Sequence, residues 1–515
     1  MNEIEKSFDD PKSLETRAVF LDISKAFDKV WHTGLIFKLK QNGISAGLIL
    51  LLENYLSNRK HKVVLNGFSS DLFSVEAGVP QGSVLGPLLF LIYINDLEIN
   101  IKSKIKFFAD DTMLFSMVKN PLNTALELRH DLDVINKWAF QWKMSFNPEP
   151  TKQAVEVLFS LKTSNPNHPD LFFNNNKVSK VNEHKHLGLT LDSKLLFVKH
   201  INEKIQIARK GIGVIKCVSK YLPVKILNQL YKTYVRPHFD YCDVIYHIPH
   251  IVNLFDRSIS LNSLMERIER VQYQAALAIT GTWQGTNRNR LYDELGWESL
   301  NYRRWSRRLI LFYKIHNGIS PEYLKNNLPP LRRLIYAVNN NNIYRPIKCR
   351  TTKYLNSFFP DTVKSWNGIV MSFQSNSPIN QFKRDILSLI RPLPRSTFGI
   401  HDYGGLKFIY QLRVRLSHLK CHKYNHNFTD TISDWCDCHC APEDIPHFLF
   451  KCPFYTVPRL KLIHRVSNIL TEHSSNHLEN NSDLYLYGHS SLINTTNASI
   501  LKFTIEYIKE TNRFT

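Results

Sequence analysis

The chain has 515 residues, too many for one ordinary core, so roughly two to four domains are expected. Hydrophobic residues make up 43% and aromatics 12%, which excludes a globally disordered chain. The formal net charge is +21, which points to a polyanionic partner, and eight cysteines in so long a chain exclude a secreted disulfide framework.

Met1 to Glu15 is polar and charged and does not read as a signal peptide. Ala18-Val19-Phe20-Leu21-Asp22 reads as a buried strand that ends on a carboxylate. Ser24 is placed to cap a short helix carrying Ala26, Phe27, Val30 and Trp31, and Leu48 to Leu56 looks helical. Lys62 to Leu65 followed by Asn66-Gly67 signals a hairpin, with Leu72 to Val75 as the return strand. The open loop Gly78 to Ser83 runs into an apolar helix, Val84 to Asn95. Its apolar run, Val84 to Ile94, is shorter than the roughly 20 residues of a membrane span, so an intracellular protein of nucleus or cytoplasm is expected, with no membrane partner.

Residues 104–117 read as a hairpin with Asp110 and Asp111 at its tip, Leu122 to Lys143 as an amphipathic helix, and Val155 to Phe159 as another strand. Strands and helices mixed in this way, with no βαβ repeat, predict an α+β domain. The pattern then turns helical. Ile201, Ile205, Ala208, Ile212 and Ile215 mark one apolar face, and the helical signal continues through Leu227–Tyr234, Leu264–Ile279 and Tyr302–Ile315. Pro329-Pro330 and Asn339 to Asn342 punctuate a linker.

The positive charge is concentrated. Lys199 to Arg236 holds nine basic residues against Glu203, and Asn301 to Arg350 holds eleven against Glu322. A solvated basic surface is a common meaning of such blocks, but two of them beside a carboxylate site point instead to a polyanion track. Trp305, Phe312, Tyr313, Tyr336 and Tyr344 lie within the second block; they can stack bases, but at this spacing core packing is the usual role.

Two distant segments thus deliver Asp22 and Asp110-Asp111 from apolar strands. Carboxylates beside a core need a partner, and a hard divalent cation such as magnesium is the natural one. Two such strands meeting at one point can hold ions for in-line phosphoryl transfer. Adjacent strand residues face opposite ways, so Asp110 is expected to share the metals with Asp22, while Asp111 either assists one metal or organises the turn. Phe27 is placed to exclude a 2′-hydroxyl beneath a nucleotide sugar, or is simply a core aromatic. In the 78–83 loop, Gly82 permits close backbone approach and Gln81 supplies an amide for a template or nucleotide contact. Lys152, before a strand, is a candidate proton donor to pyrophosphate, or a surface lysine. Cys436, Cys438, His447 and Cys452 can supply four ligands to a tetrahedral zinc, with Cys440 leaving the pairing ambiguous.

In this order, Phe20 to Val30, Gly78 to Pro87, Phe108-Ala109-Asp110-Asp111, the Lys152 segment and His186-Leu187-Gly188-Leu189 resemble the reverse transcriptases of non-LTR retrotransposons, particularly the jockey-like lineage. The resemblance is clear over about residues 15–315. It implies a right-hand polymerase palm with a helical thumb, then a mainly helical C-terminal region and a small zinc-knuckle-like module. It implies RNA-directed DNA polymerase activity with two magnesium ions, an RNA template, a DNA primer and deoxynucleoside triphosphates. By position Asp22, Asp110 and Asp111 would be the metal triad, with the Ile23 carbonyl as a further ligand. The fingers that precede the first motif in this family have no room here, so an N-terminally truncated enzyme is expected, or a silent remnant that only binds nucleic acid. The expected divisions are palm 1–195, thumb 196–325, basic linker and helical connection 326–425, Cys/His motif 426–460 and C-terminal tail 461–515.

Overall fold

The computed structural model describes residues 1–13, 15–162, 167–247, 263–332, 343–369, 377–388, 397–400, 402–472, 475 and 478–514, with backbone alone at 150, 151, 263 and 403. The chain divides into two compact units, Met1–His200 with Ile347–Asp361 and Ile201–Pro346 with Thr362–Thr515.

The first unit is built on a sheet of β1 (Glu15–Asp22), β2 (Lys104–Phe108), β3 (Asp111–Met117), β4 (Ala154–Ser160) and β5 (Ser179–Val181), in the order β5-β4-β1-β3-β2. β1 is central and antiparallel to both β3 and β4, while β5 runs parallel to β4. It is buried from Glu15 to Leu21 and exposed only at Asp22. Burial on both faces is why its sequence is a continuous apolar run and not an alternation. The one cation in that run, Arg17, is fully buried and makes a two-pronged bond to Glu156 of β4 at 2.7 and 3.0 Å.

One face of the sheet carries helices α1 (Leu85–Ile94) and α2 (Pro121–Gln141). Val19, Leu21, Leu114, Phe90, Tyr93, Leu128, Leu132 and Ile135 join in a single core there. α2 starts cleanly because the Asn120 side chain accepts from the Leu122 and Asn123 amides and Pro121 occupies the first turn. On the Phe20 side lies a hairpin of β6 (Glu183–His186) and β7 (Leu189–Asp192), whose His184 ring stacks on Phe20 at 4.3 Å. Strand alternation puts Asp22 on that same side.

Two local expectations are corrected. Ser24 does not cap a helix: its amide bonds to Ser145 and prolongs the strand pairing, and a 3₁₀ turn, Ala26–Lys29, follows Lys25 in a left-handed conformation. Asn66-Gly67 does form a tight turn with positive φ at both residues, but the immediate return strand is Phe68–Ser69. Phe73–Ser74 pairs further out with Lys60–His61, because a two-residue turn demands that its flanking residues pair at once.

The second unit is helical. In α3 (Val198–Val218), which begins just before the division, Ile201, Ile205, Ala208, Ile212 and Ile215 are all buried. α4 (Ser263–Thr280), α5 (Arg288–Leu295) and α6 (Leu300–His316) follow. Four arginines of the second basic block are committed within the fold. Arg304 and Arg308 are buried, Arg303 bonds Asp240 at 2.7 and 2.8 Å, and Arg307 lies 3.1 Å from Asp243. The balancing acids sit outside the block in sequence, so a window of charge could not reveal them. Trp305, Phe312, Tyr313 and Tyr344 are core residues, whereas Tyr336 and the 333–342 part of the linker lie outside the described residues.

Towards the C-terminus, α7 (Tyr403–Arg413), α8 (Lys420–Asn425), α9 (Thr456–Glu472), α10 (Ser482–Tyr487) and α11 (Asn494–Glu510) surround one apolar cluster that includes Ile409, Phe448, Val466, Tyr485, Leu501 and Ile505. The described part of 461–515, expected as a tail, therefore contributes helices to a core. Ile500, Leu501, Thr504, Ile505 and Ile508 carry the helical spacing that the Asn- and Ser-rich composition obscured. Among the described residues no helix is long and apolar enough to cross a membrane.

Candidate active site and Cys/His cluster

The sheet register determines the carboxylate geometry. Asp22 ends β1 directly opposite Asp111, and Asp111 opposes Phe108 at the β2–β3 hairpin end. Ala109 and Asp110 form the two-residue turn, with a positive φ of 54° at Ala109. Asp111 therefore shares the face of Asp22, and Asp110 joins them from the turn. Asp110's carboxyl is pushed above its ordinary range, first by desolvation and then by the charges of Asp111 and Asp22, against an opposing backbone hydrogen bond. The expectation that Asp110 is the partner of Asp22 is only half of the arrangement, since register gives that place to Asp111 as well. Three mutually repelling carboxylates are the donor set that a hard divalent cation satisfies.

Asn147 was not anticipated. Its side chain donates to Asp22 Oδ2 at 2.7 Å and its backbone amide donates to the Asp22 carbonyl at 2.9 Å. The signal was its position at the head of Asn147-Pro148-Glu149-Pro150, before the β4 strand. Ile23 bridges to Phe146 and so continues the pairing beside Asp22. His184 and His186 also lie near the carboxylates. Burial lowers the pKa of both imidazoles, bringing His184 down to about 4 against the pull of Asp22, while Asp111 pulls His186 the other way.

The 78–83 loop is held against the turn that follows β1. The Gly78 and Val79 amides bond to the Val30 and Phe27 carbonyls, each at 2.8 Å. Gly78 has a φ of +94°, and a Cβ there would meet Asp28 backbone atoms at 2.7 to 2.9 Å. Only glycine fits. Gly82 also has positive φ, but the space around it is open. Gln81 donates to Asp28 Oδ1 at 2.8 Å, which fixes its amide orientation. Ser83 accepts from the Gly86 amide and starts α1. Phe27 is half-buried and stacks on Phe90 at 4.6 Å, so one side of its ring belongs to the core. Lys152 is exposed and lies 2.5 Å from Glu149, which raises its pKa.

In the second unit the ligand atoms of Cys436, Cys438, His447 and Cys452 all lie within 4.8 Å of one another. Cys436 Sγ is 3.6 Å from Cys452 Sγ, and Cys438 Sγ is 3.2 Å from His447 Nε2. Zinc–sulfur bonds of about 2.3 Å in a tetrahedron place ligand atoms roughly 3.8 Å apart, so the set suits that ion. Two local devices assemble it. The Cys436 amide bonds to Ala441 and closes a loop with His439 left-handed, while an i→i+5 bond from the Cys452 amide to the His447 carbonyl brings the second pair to one side. Cys440 is exposed and its thiol donates to the Cys438 carbonyl, so it stands outside the set. Desolvation pushes Cys436 up to about 12; it opposes ionisation of Cys438 too, but hydrogen bonds from Cys440, Cys436 and His447 prevail and bring that thiol down to about 6.

A sheet whose central strands present carboxylates on one face, backed by helices, is the arrangement expected of a polymerase palm. Residues 4–191 match the family described as reverse transcriptase (RNA-dependent DNA polymerase). Over 272 residues the chain is 31% identical to the probable RNA-directed DNA polymerase from transposon X-element of Drosophila melanogaster, covering 51% of this chain and 28% of that protein. It is 34% identical over 202 residues to the RNA-directed DNA polymerase from mobile element jockey of the same species, covering 38% and 21%. The jockey polymerase of Drosophila funebris is also 34% identical, over 190 residues, covering 35% and 20%. Residues 4–191 therefore match the reverse transcriptase family, and the relatives that the chain resembles are named as polymerases of transposon X-element and mobile element jockey. The chain spans less than a third of the length of these curated relatives.

Proposed function

We propose that the chain is an RNA-directed DNA polymerase that joins deoxynucleotides to a primer 3′-hydroxyl on an RNA template. The convergence of Asp22, Asp110 and Asp111 on one edge of the sheet carries this reading. These three, with the Ile23 carbonyl, would hold two magnesium ions. Such ions supply Lewis acidity that lowers the pKa of the primer hydroxyl and offsets charge on the leaving pyrophosphate. Asn147 orients the Asp22 carboxylate. Phe27, braced by Phe90, limits the space under the sugar, and Gln81 with Gly82 meets the template or nucleotide. Lys152 stays protonated beside Glu149 and donates its proton once released from that pair. The palm, residues 1–195, is followed by the thumb at 196–325, where the basic side of α3 grips the template–primer backbone. The Cys/His module at 426–460 takes one zinc through Cys436, Cys438, His447 and Cys452, a Cys₃His set of the structural kind.

The test is primer extension on an annealed RNA template with magnesium and deoxynucleotides, using the full chain beside Asp110→Ala. Extension by the unaltered chain alone supports the reading. Template binding without extension by either would leave a binding protein and refute the catalytic assignment.

A further inference from the structure

The second unit contains a cavity of about 470 Å³ that is separate from the carboxylate site and the Cys/His cluster. It lies among α5, the end of α7, α8, α10 and the Asp444–Pro446 segment that leads into His447. Three guanidinium groups reach it. Arg413 is committed: it bonds Glu294 at 3.2 Å and the Leu486 carbonyl at 2.8 Å, and lies over the Tyr487 ring. Arg290 and Arg415 are exposed and form no side-chain hydrogen bond or ion pair among the described residues.

The backbone at Arg415 fixes where its side chain leaves the helix end. α7 ends in a cap in which the Arg415 amide bonds to Leu412 and the Leu416 amide to Gln411. In this cap the left-handed position, φ 57°, falls on Arg415. Glycine or asparagine normally occupies it, because an L side chain there costs about 1 kcal/mol or more. Lys143 holds the same place in the cap after α2, so the position accepts a long cationic side chain. The field agrees: His422, buried with Nδ1 on the Ser417 hydroxyl, is held down at about 4 by burial and then by Arg415, His426 and Arg290. Asp444 and Asp483 also line the cavity, but one Asp444 oxygen is taken by the His447 amide at 2.7 Å.

We propose that this cavity binds a backbone phosphate of a single nucleic-acid strand, gripped by Arg290 and Arg415. Planar guanidinium forks match phosphate oxygens in pairs, and a volume of this size admits one nucleotide. The strand assignment follows from the net charge of +21, which favours a polyanion over a free phosphate. It does not require the polymerase reading.

The test is fluorescence anisotropy of the full chain with a labelled single-stranded RNA, without magnesium or nucleotides, across a salt series. Arg415→Gly suits the left-handed cap, so thermal stability should hold or rise while RNA affinity falls several-fold. Complete loss of this one phosphate should reduce the slope of log K against log salt by about 0.7. Arg290→Gln, outside the cap, should also lower the affinity, and the double variant, which frees the phosphate from both guanidiniums, should show the full change in slope. Lys461→Gln, which removes one charge already paired with Glu510, should leave the slope unchanged. Unchanged affinity and slope in the double variant would overturn the proposal, as would absence of RNA binding by the parent chain. If inorganic phosphate stabilises the parent but not the double variant while RNA affinity stays equal, the cavity is a free-anion site and the strand assignment is wrong. Failure of primer extension leaves this readout untouched, so the two readings fail separately.

Discussion

Gly78→Ala separates steric necessity from ordinary loop preference. The residue has φ +94°, and the added Cβ would lie 2.7 Å from the Asp28 carbonyl oxygen and 2.8 Å from its Cα. Positive φ costs a non-glycine residue of order 1–3 kcal/mol. The overlap is with backbone, which no rotamer change can relieve, and overpacking of this kind adds about 1–3 kcal/mol more. A total of about 2–6 kcal/mol corresponds to a rise of roughly 30-fold to more than 10⁴-fold in local opening. Gly82→Ala is the internal control, because φ there is +79° but nothing lies within 4 Å of the added atom. Only the conformational part, about 1–3 kcal/mol, applies at Gly82. The assay is amide hydrogen exchange followed by mass spectrometry on the segment 76–86, where the Gly78 and Val79 amides bond to Val30 and Phe27. Gly78→Ala should accelerate exchange well beyond Gly82→Ala. Equal acceleration by the two would refute the argument that the loop is clamped on the Asp28 backbone.

Phe27→Ala should raise ribonucleotide incorporation relative to deoxynucleotide, at a stability loss of about 1–3 kcal/mol because the ring is only half-buried against Phe90; an unchanged ratio of kcat/KM values would remove Phe27 from sugar selection. Cys452→Ala should lower zinc per chain in metal analysis while Cys440→Ala leaves it unchanged, since only Cys452 belongs to the converging set; the reverse order would redraw the ligand list. Asp243 supplies a pH test. Burial pushes its carboxyl up to about 7, more than the nearby Arg307 brings it down. Its contribution is therefore fully present below the unfolded value near 3.8 and is lost as pH rises through 7. The parent chain should lose stability relative to Asp243→Asn across that window, by up to about 4 kcal/mol, and a constant difference between the two urea midpoints from pH 4 to 7 would refute it.

Much was legible in the sequence because period and punctuation are local. The apolar run before Asp22, the hairpin tip at Asp110-Asp111, the turn at Asn66-Gly67 and the stripe from Ile201 to Ile215 each depend on a few neighbouring residues. The spacing of Cys436, Cys438, His447 and Cys452 likewise named four side chains that converge, although only the folded loop separates Cys440 from them. Contacts between distant segments were decided by tertiary structure. Strand register, which depends on how whole strands pair, put Asp111 opposite Asp22, and a bond across 125 residues brought Asn147 to the site. Charge showed the same division. A linear count saw a basic block from Asn301 to Arg350, but folding set Arg303 and Arg307 against Asp240 and Asp243 and buried Arg304 and Arg308. Sequence determines which groups are charged; the fold determines which of them remain free to meet a phosphate, because ion pairs form through space and not along the chain.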